Sequence, residues 1–420
     1  MTNKVTIRDN QKITPYLWMF FAVCFISSAL GGTVSTLMSV YLPVVLQDTK
    51  FSADAGEQAR IGAYINAIFI FGWAVGGFVW GLISDRVGRK KALLFSIACY
   101  GLFTILTGLW QEWWSIVWCR MWSGFGVGGV LVIGFTFLSE IWPQKSKPVF
   151  MGILSIAFPV GIFSAGLINY LVSSWQQAFL SGTIPVAVAV AGWWMIKESP
   201  EWVENKQRAF QSGGRAESLF SLRFRKNMWV GSITFGSMLI GLWAIFSWLP
   251  TWVQSLISDT DGQKERGIIM MLLGMGGLTG GFLSGWVLNV MGTRKALVLC
   301  FTVCSVLSFL LFKTNNSFTP IIYAETAVLA FFFGVSQGVL SYYIPELFPT
   351  AFRASATGFC FNIGRLFTGT AVMFVGILVT VLGGYGNAIY LFSLVFVIGL
   401  LVVLFLKKKD YQLVKENINT

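Results

Sequence analysis

What constrains this chain most is a series of apolar runs, each long enough to cross roughly 30 Å of hydrocarbon as a helix. They fall near 15–46, 61–84, 91–110, 113–139, 149–172 and 176–196. After a polar stretch over 197–227, six more follow near 228–256, 267–290, 296–312, 318–341, 354–382 and 384–406. Runs of this length predict helices, because the strands of a membrane barrel alternate over about ten residues. The first run is also far longer than the roughly 7–15 apolar residues of a signal peptide. Composition agrees: 55% of residues are hydrophobic and 11% charged, where a soluble chain carries about a quarter charged residues. The expected fold class is an all-α polytopic membrane protein with twelve transmembrane helices.

Basic residues set the expected orientation. With the N-terminus in the cytoplasm, the inner segments hold 23 Lys or Arg. The outer loops hold only Lys50, Arg60, Lys264, Arg266 and Lys313, and Arg120 and Arg365 lie inside spans. The expectation is a multi-pass protein of the cytoplasmic membrane with both termini inside. The formal net charge of +12 then reflects loop cations facing anionic membrane lipid, and no nucleic-acid partner is expected.

The two sets of six spans share landmarks. The segment after the second span contains Gly81, Asp85, Gly88, Arg89, Lys90 and Lys91; after the eighth span Gly285, Asn289, Gly292, Thr293, Arg294 and Lys295 stand at a constant offset of 204. Glu140, Pro143 and Lys147 after the fourth span recur as Glu346, Pro349 and Arg353 after the tenth, at an offset of 206. Two independent landmarks in nearly the same register identify a duplicated six-helix unit.

These landmarks carry a resemblance. Gly81 to Lys91 resembles the G-x-L-x-D-R-x-G-R-K/R loop of the major facilitator superfamily, and Arg120 with Gly124, Gly126 and Gly128 resembles its helix-four signature. Glu140 with Pro143, and Glu346 with Pro349, Thr350 and Arg353, resemble its loops after helices four and ten. Glu198-Ser199-Pro200 with Trp202 resembles the motif closing helix six in sugar, organic-ion and organic-acid members. The resemblance implies two pseudo-symmetric six-helix bundles, 1–196 and 228–420, the second ending in a short cytoplasmic tail. A cytoplasmic linker over 197–227 joins them, and they enclose a central cavity exposed alternately to each side. It also implies a gating role for Gly81, Asp85, Gly88, Arg89, Glu140, Glu346 and Arg353. The glycines permit close approach and a tight turn, Asp85 accepts hydrogen bonds from a helix N-terminus of the other half, and Arg89 pairs with acids such as Glu140. In the second copy Asn289 and Thr293 replace the acid and the arginine, which predicts a weaker lock there.

Ionisable groups inside a membrane are costly and mark candidate functional residues. Only Arg120, Glu325 and Arg365 stand within spans. On helix eleven Gly358, Phe361, Asn362, Arg365, Thr368 and Gly369 fall at helical spacing on one stripe. A guanidinium there can hold a carboxylate through two parallel hydrogen bonds, the alternative being an arginine satisfied by backbone carbonyls. Arg120 admits a structural, proton-linked or substrate role. Glu325 reads either as the proton carrier or as half of a structural ion pair. Gln337 shares a face of helix ten with Thr326, and Trp243, Phe246, Ser247 and Trp248 on helix seven, with Asn66 and Tyr64 on helix two, are further candidates to line the cavity. Gly124, Gly128, Ala330 and Gly334 read as small packing positions.

The chain has no His, which removes the easiest proton shuttle and the commonest metal ligand. The six cysteines, Cys24, Cys99, Cys119, Cys300, Cys304 and Cys360, all sit inside apolar runs and read as packing residues. No phosphate loop, zinc signature or catalytic triad is present, so neither enzyme activity nor a cofactor or metal is expected. The expected function is secondary active transport of a small solute, an organic anion such as a carboxylate, by a functional monomer that couples to protons as a symporter. A neutral sugar or other metabolite porter and a transporter-like nutrient sensor are the alternatives. Some branch features are missing: helix one has no acid, unlike typical aromatic-acid symporters, and helix seven lacks the Gln-Gln pair of sugar porters.

Overall fold

The computed structural model describes residues 13–47, 54–143, 146–200, 202–204, 225–257, 262–348 and 353–405; the side chains of 148 and 353–355 lie outside that description. Twelve long helices occur among the described residues. In the first half they are α1 (Pro15–Gln47), α2 (Ala55–Val87), α3 (Arg89–Leu109), α4 (Trp113–Ile141), α5 (Val149–Leu171) and α6 (Trp175–Met195). In the second they are α7 (Arg225–Leu256), α8 (263–291), α9 (293–314), α10 (Ile321–Glu346), α11 (Arg353–Leu378) and α12 (Tyr385–Phe405). Between α8 and α9 the helical hydrogen bonding runs on almost unbroken, and only Gly292, at φ 72° and ψ 162°, leaves helical geometry. The apolar runs locate every helix, but some helices outrun them. Helix α2 starts at Ala55 because Asp54 caps it, accepting from the Glu57 backbone N–H at 2.7 Å, and a cap satisfies an end donor without requiring an apolar residue.

Close helix packing is built in the same way in both halves. A Cβ at Gly124 or Gly128 of α4 would collide with the Phe69 or Trp73 carbonyl of α2. A Cβ at Gly334 of α10 would collide with the Gly277 carbonyl of α8, and one at Gly276 would stand only 2.6 Å from the Ala330 Cβ. Without a hydrophobic drive between helices in lipid, such small-residue contacts supply the dispersion energy that holds the bundle. Three buried hydroxyls of α1 are satisfied locally: Ser27, Ser35 and Thr36 donate to carbonyls four residues back at 2.6–2.9 Å. All six cysteines are free thiols.

The halves meet along α2 with α11 and α5 with α8, and α1 touches α7. Two faces can be distinguished: a basic face carrying Arg89, Lys90, Lys91, Arg294 and Lys295, and a far face at the opposite helix ends. Toward the far face the seam is tight. Asn66 Nδ2 donates to the Ser247 carbonyl at 3.2 Å, Gln263 Nε2 donates to the Asn169 carbonyl at 2.7 Å, and Gly166 and Gly267 bring the α5 and α8 backbones together. The fully buried Trp248 wedges between Gly62 of α2 and Gly376 of α11. Toward the basic face packing loosens: a Cβ at Gly277 or Gly281 would make only an ordinary 3.6 Å contact with Pro159 or Ile156, and one at Gly134 or Gly358 would meet open space.

Candidate functional site

Arg365 occupies the middle of α11, on the seam between the halves. Its Nη1 donates to Asn362 Oδ1 at 3.1 Å, one helical turn earlier, and its Cζ stands 5.0 Å from the centre of the Trp73 ring of α2. Among the described residues no carboxylate lies within ion-pair distance of it. Asn362 itself is pressed to α2, 3.0 Å from where a Cβ on Gly77 would sit. Trp73 is one corner of an aromatic cluster that spans both halves. Its ring centre lies 5.4 Å from Phe158 of α5, stacked, and 5.4 Å from Trp243 of α7, edge-on. A cation over an indole face gains from the ring quadrupole while its remaining N–H donors stay available. The stripe read on helix eleven and the helix-seven tryptophan thus come together at one place, with Trp73 and Phe158, which the sequence reading passed over because aromatic residues are so abundant in this chain.

The other expected site residues separate. Arg120 is 1% exposed and lies inside the first half, its Cζ 3.9 Å over the Phe69 ring and its Nη1 donating to the Val34 carbonyl of α1 at 3.0 Å. It therefore does not line the seam. Asn66 spends its amide on the Ser247 carbonyl and serves as a clamp between halves. The Gln337 Nε2 is buried without a hydrogen-bond partner among the described residues. Glu325 sits one turn into α10 at the far face, and its Oε2 accepts from Asn315 in the preceding loop at 2.8 Å, so the ion-pair alternative finds a neutral amide in place of an arginine.

The loop after α2 forms a compact ionic network. Arg89 donates through Nη1 to Asp85 Oδ1 at 2.5 Å and to Ser84 Oγ at 3.0 Å, and through Nε to Glu140 Oε1 at 3.0 Å. The Arg89 and Glu140 side chains are 11% and 12% exposed, that of Asp85 66%. Glu198 adds a feature the motif did not predict. Its Oε1 accepts from the backbone N–H groups of Arg89 at 2.8 Å and Lys90 at 3.0 Å, capping the N-terminus of α3, where negative charge is favoured. Gly88, at φ 110°, leaves room for that carboxylate, which a Cβ would strike. Gly81 does not carry the close approach expected of it, since a Cβ there would make an ordinary 3.9 Å contact with Val132. Asp85 is likewise corrected: its observed partner is Arg89 of the same loop, and Trp202 Nε1 donates to its carbonyl at 2.9 Å. Glu346 ends α10 at the basic face; the side chain of Arg353 and all of Pro349 and Thr350 lie outside the described residues.

Two cavities lie apart from Arg365. One of about 440 Å³ at the basic face is lined by Val87, Lys90, Lys91, Trp193, Glu198 and Trp202. An apolar one of about 300 Å³ lies between α2, α4 and α11 around Tyr64, Phe71 and Trp113. The first is part of the ionic loop network around Glu198, and the second has an apolar lining.

A family model described as Major Facilitator Superfamily matches residues 21–369 and, in a second match, 264–419. The chain belongs to the Major Facilitator Superfamily. This superfamily protein is 26% identical to the cis,cis-muconate transport protein of Acinetobacter baylyi over 96% of this chain and 98% of that one. It is 24% identical to the gallate transporter of Pseudomonas putida, over 85% of this chain and 84% of that one. With the 4-hydroxybenzoate transporter PcaK of Pseudomonas aeruginosa the identity is 23%, over 84% of each. Its fold superposes on the inward open conformation of the xylose transporter XylE of E. coli with a TM-score of 0.76, at 15% identity, covering 95% of this chain and 99% of the other. As a member of this superfamily the protein is a membrane transporter with twelve helices in two six-helix halves, and it is not an enzyme.

Proposed function

We propose that the protein carries small organic acids as anions across the cytoplasmic membrane by alternating access, with the basic face toward the cytoplasm. The observation that carries the reading is Arg365: a guanidinium at the seam, over an indole ring and bonded to one amide, with no carboxylate partner among the described residues. An unpaired arginine at the bilayer centre costs at least about 2.5–3.5 kcal/mol, and a carboxylate on the solute removes that cost through charge-assisted hydrogen bonds. Trp73, Phe158 and Trp243 supply flat apolar surface for the carbon skeleton. The named substrates of the relatives, muconate, gallate and 4-hydroxybenzoate, support the class. The positive-inside bias supports the orientation.

Binding to purified protein tests the reading, because a ligand raises thermal stability by mass action. Carboxylates should stabilise the protein and neutral sugars should not. Arg365→Lys retains the charge but loses the planar fork, so affinity should fall roughly tenfold or more. Arg365→Ala should abolish anion binding in a folded protein. Unchanged affinity in Arg365→Lys, or stabilisation by sugars alone, would overturn the reading.

A further inference from the structure

The charges of the membrane interior do not balance. Arg120 and Arg365 stand there, and the aromatic pair Phe69 and Trp73, one turn apart on α2 with ring centres 6.1 Å apart, links them. Arg120 lies over the first ring and Arg365 over the second. No acid accompanies them. Glu325 is at the far face with Asn315, Asp85, Glu140 and Glu198 are in the network around Arg89, and every other described Asp or Glu falls in a loop or at a helix end. Helix α1 offers Arg120 the Val34 carbonyl and contains no acid at all. The chain has no His. Among the described residues, the centre of the carrier therefore holds two cations and no carboxylate or imidazole able to take up and release a proton in the physiological range.

We infer that the solute anion itself permits this carrier to reorient, so that transport runs as an exchange of anions, one inward for one outward, without proton uptake by the protein. The inference rests on the organic-acid reading above and adds the mode of transport. Arg365 is only half-buried on the seam, so part of it is open to hydration. Closing the halves around an empty site strips that water from a cation with no counter-charge, and Arg120 one aromatic layer away adds a second positive field; both oppose the empty occluded state. A bound carboxylate replaces the lost water and offsets the charge, so the loaded carrier passes through occlusion and the empty one is held back. Proton symport, the expectation from the sequence, would here have to draw its proton from a group outside this centre, such as Glu325, or from the solute's own carboxyl.

The test uses full-length protein in liposomes, with labelled cis,cis-muconate and 4-hydroxybenzoate as probes and thermal stabilisation by each measured in parallel. Uptake into vesicles preloaded with the same unlabelled anion should exceed uptake into empty vesicles by at least about tenfold, equivalent to about 1.4 kcal/mol against the empty occluded carrier. An imposed pH gradient should change neither rate. Accumulation in empty vesicles driven by a pH gradient would overturn the inference, and so would net uptake as fast as exchange; in both cases binding and transport of the acids would leave the organic-acid reading standing. If neither probe stabilises the protein nor crosses the membrane, that reading itself fails and takes the inference with it. Arg120→Leu and Arg120→Gln remove the second cation with and without an apolar replacement. In whichever folds, the ratio of exchange to net uptake should fall, and an unchanged ratio would overturn the charge argument.

Discussion

The two copies of the loop motif occupy equivalent places, yet only one has become an ionic structure. In the first half, Gly88 turns the chain at φ 110°, Glu198 caps the N-terminus of α3, and Arg89 joins Asp85 to Glu140. In the second half, Gly292 turns at φ 72° with nothing near its missing side chain, Asn289 and Thr293 replace the charged pair, and Arg294 Nη2 donates to the Leu404 carbonyl at 2.6 Å. Both loops perform the backbone turn that a duplicated fold demands. The comparison teaches that the glycine belongs to the fold, whereas the charges belong to one half and can be lost from the other without losing the turn.

The largest expected effect breaks the contrast at its glycines. Gly88→Ala combines positive-φ strain, about 1–3 kcal/mol, with displacement of the Glu198 cap, about 0.5–2 kcal/mol. Gly292→Ala carries the strain alone. Thermal unfolding in detergent should therefore show a clearly larger loss for Gly88→Ala, and equal losses would remove Glu198 from the account. Next in size, Glu140→Gln takes the charge from the buried partner of Arg89 and should cost about 1–3 kcal/mol. The same unfolding assay reads it, with Arg89→Gln in the Glu140→Gln background as the check. If the two substitutions add independently, the pair is not coupled.

Asp85→Asn should cost no more than about 1 kcal/mol, because Asp85 is mostly exposed and surface pairs contribute little. A large loss of stability would mean that Asp85 has a stronger partner in another conformation. The smallest effect sharpens the comparison from the other side. The double substitution Asn289→Asp with Thr293→Arg rebuilds the pair in the second half and should raise stability by at most about 1 kcal/mol. No gain at all would show that a partner equivalent to Glu140 or Glu198 is required as well.

Much of this molecule was legible before its fold. Twelve apolar runs, two aligned landmarks and a stripe on helix eleven led to the helix count, the duplication and Arg365, because run length, repeat offset and helical period are all properties of the chain alone. Glu325 shows what such reading leaves open. Hydropathy places it inside a span, and the structure has it one turn into α10, but only the fold shows that Asn315 reaches it from the loop. Gly81 and Gly88 share one motif, and only one of them faces an obstacle. Arg266 counted as an outer-loop cation, yet it is 1% exposed and its Nη1 pairs with Gln254 of α7.

The sequence by itself determined that this chain spans the membrane as twelve helices in two related halves, since hydrocarbon thickness admits few other uses of such runs. Tertiary structure alone decided which charges have partners. Arg89 is met by three carboxylates that are 4, 51 and 109 residues away along the chain, and Arg120 finds a carbonyl and a ring but no acid among the described residues. Coulomb and hydrogen-bond energies depend on distances between side chains brought together by packing, and neither composition nor periodicity contains those distances.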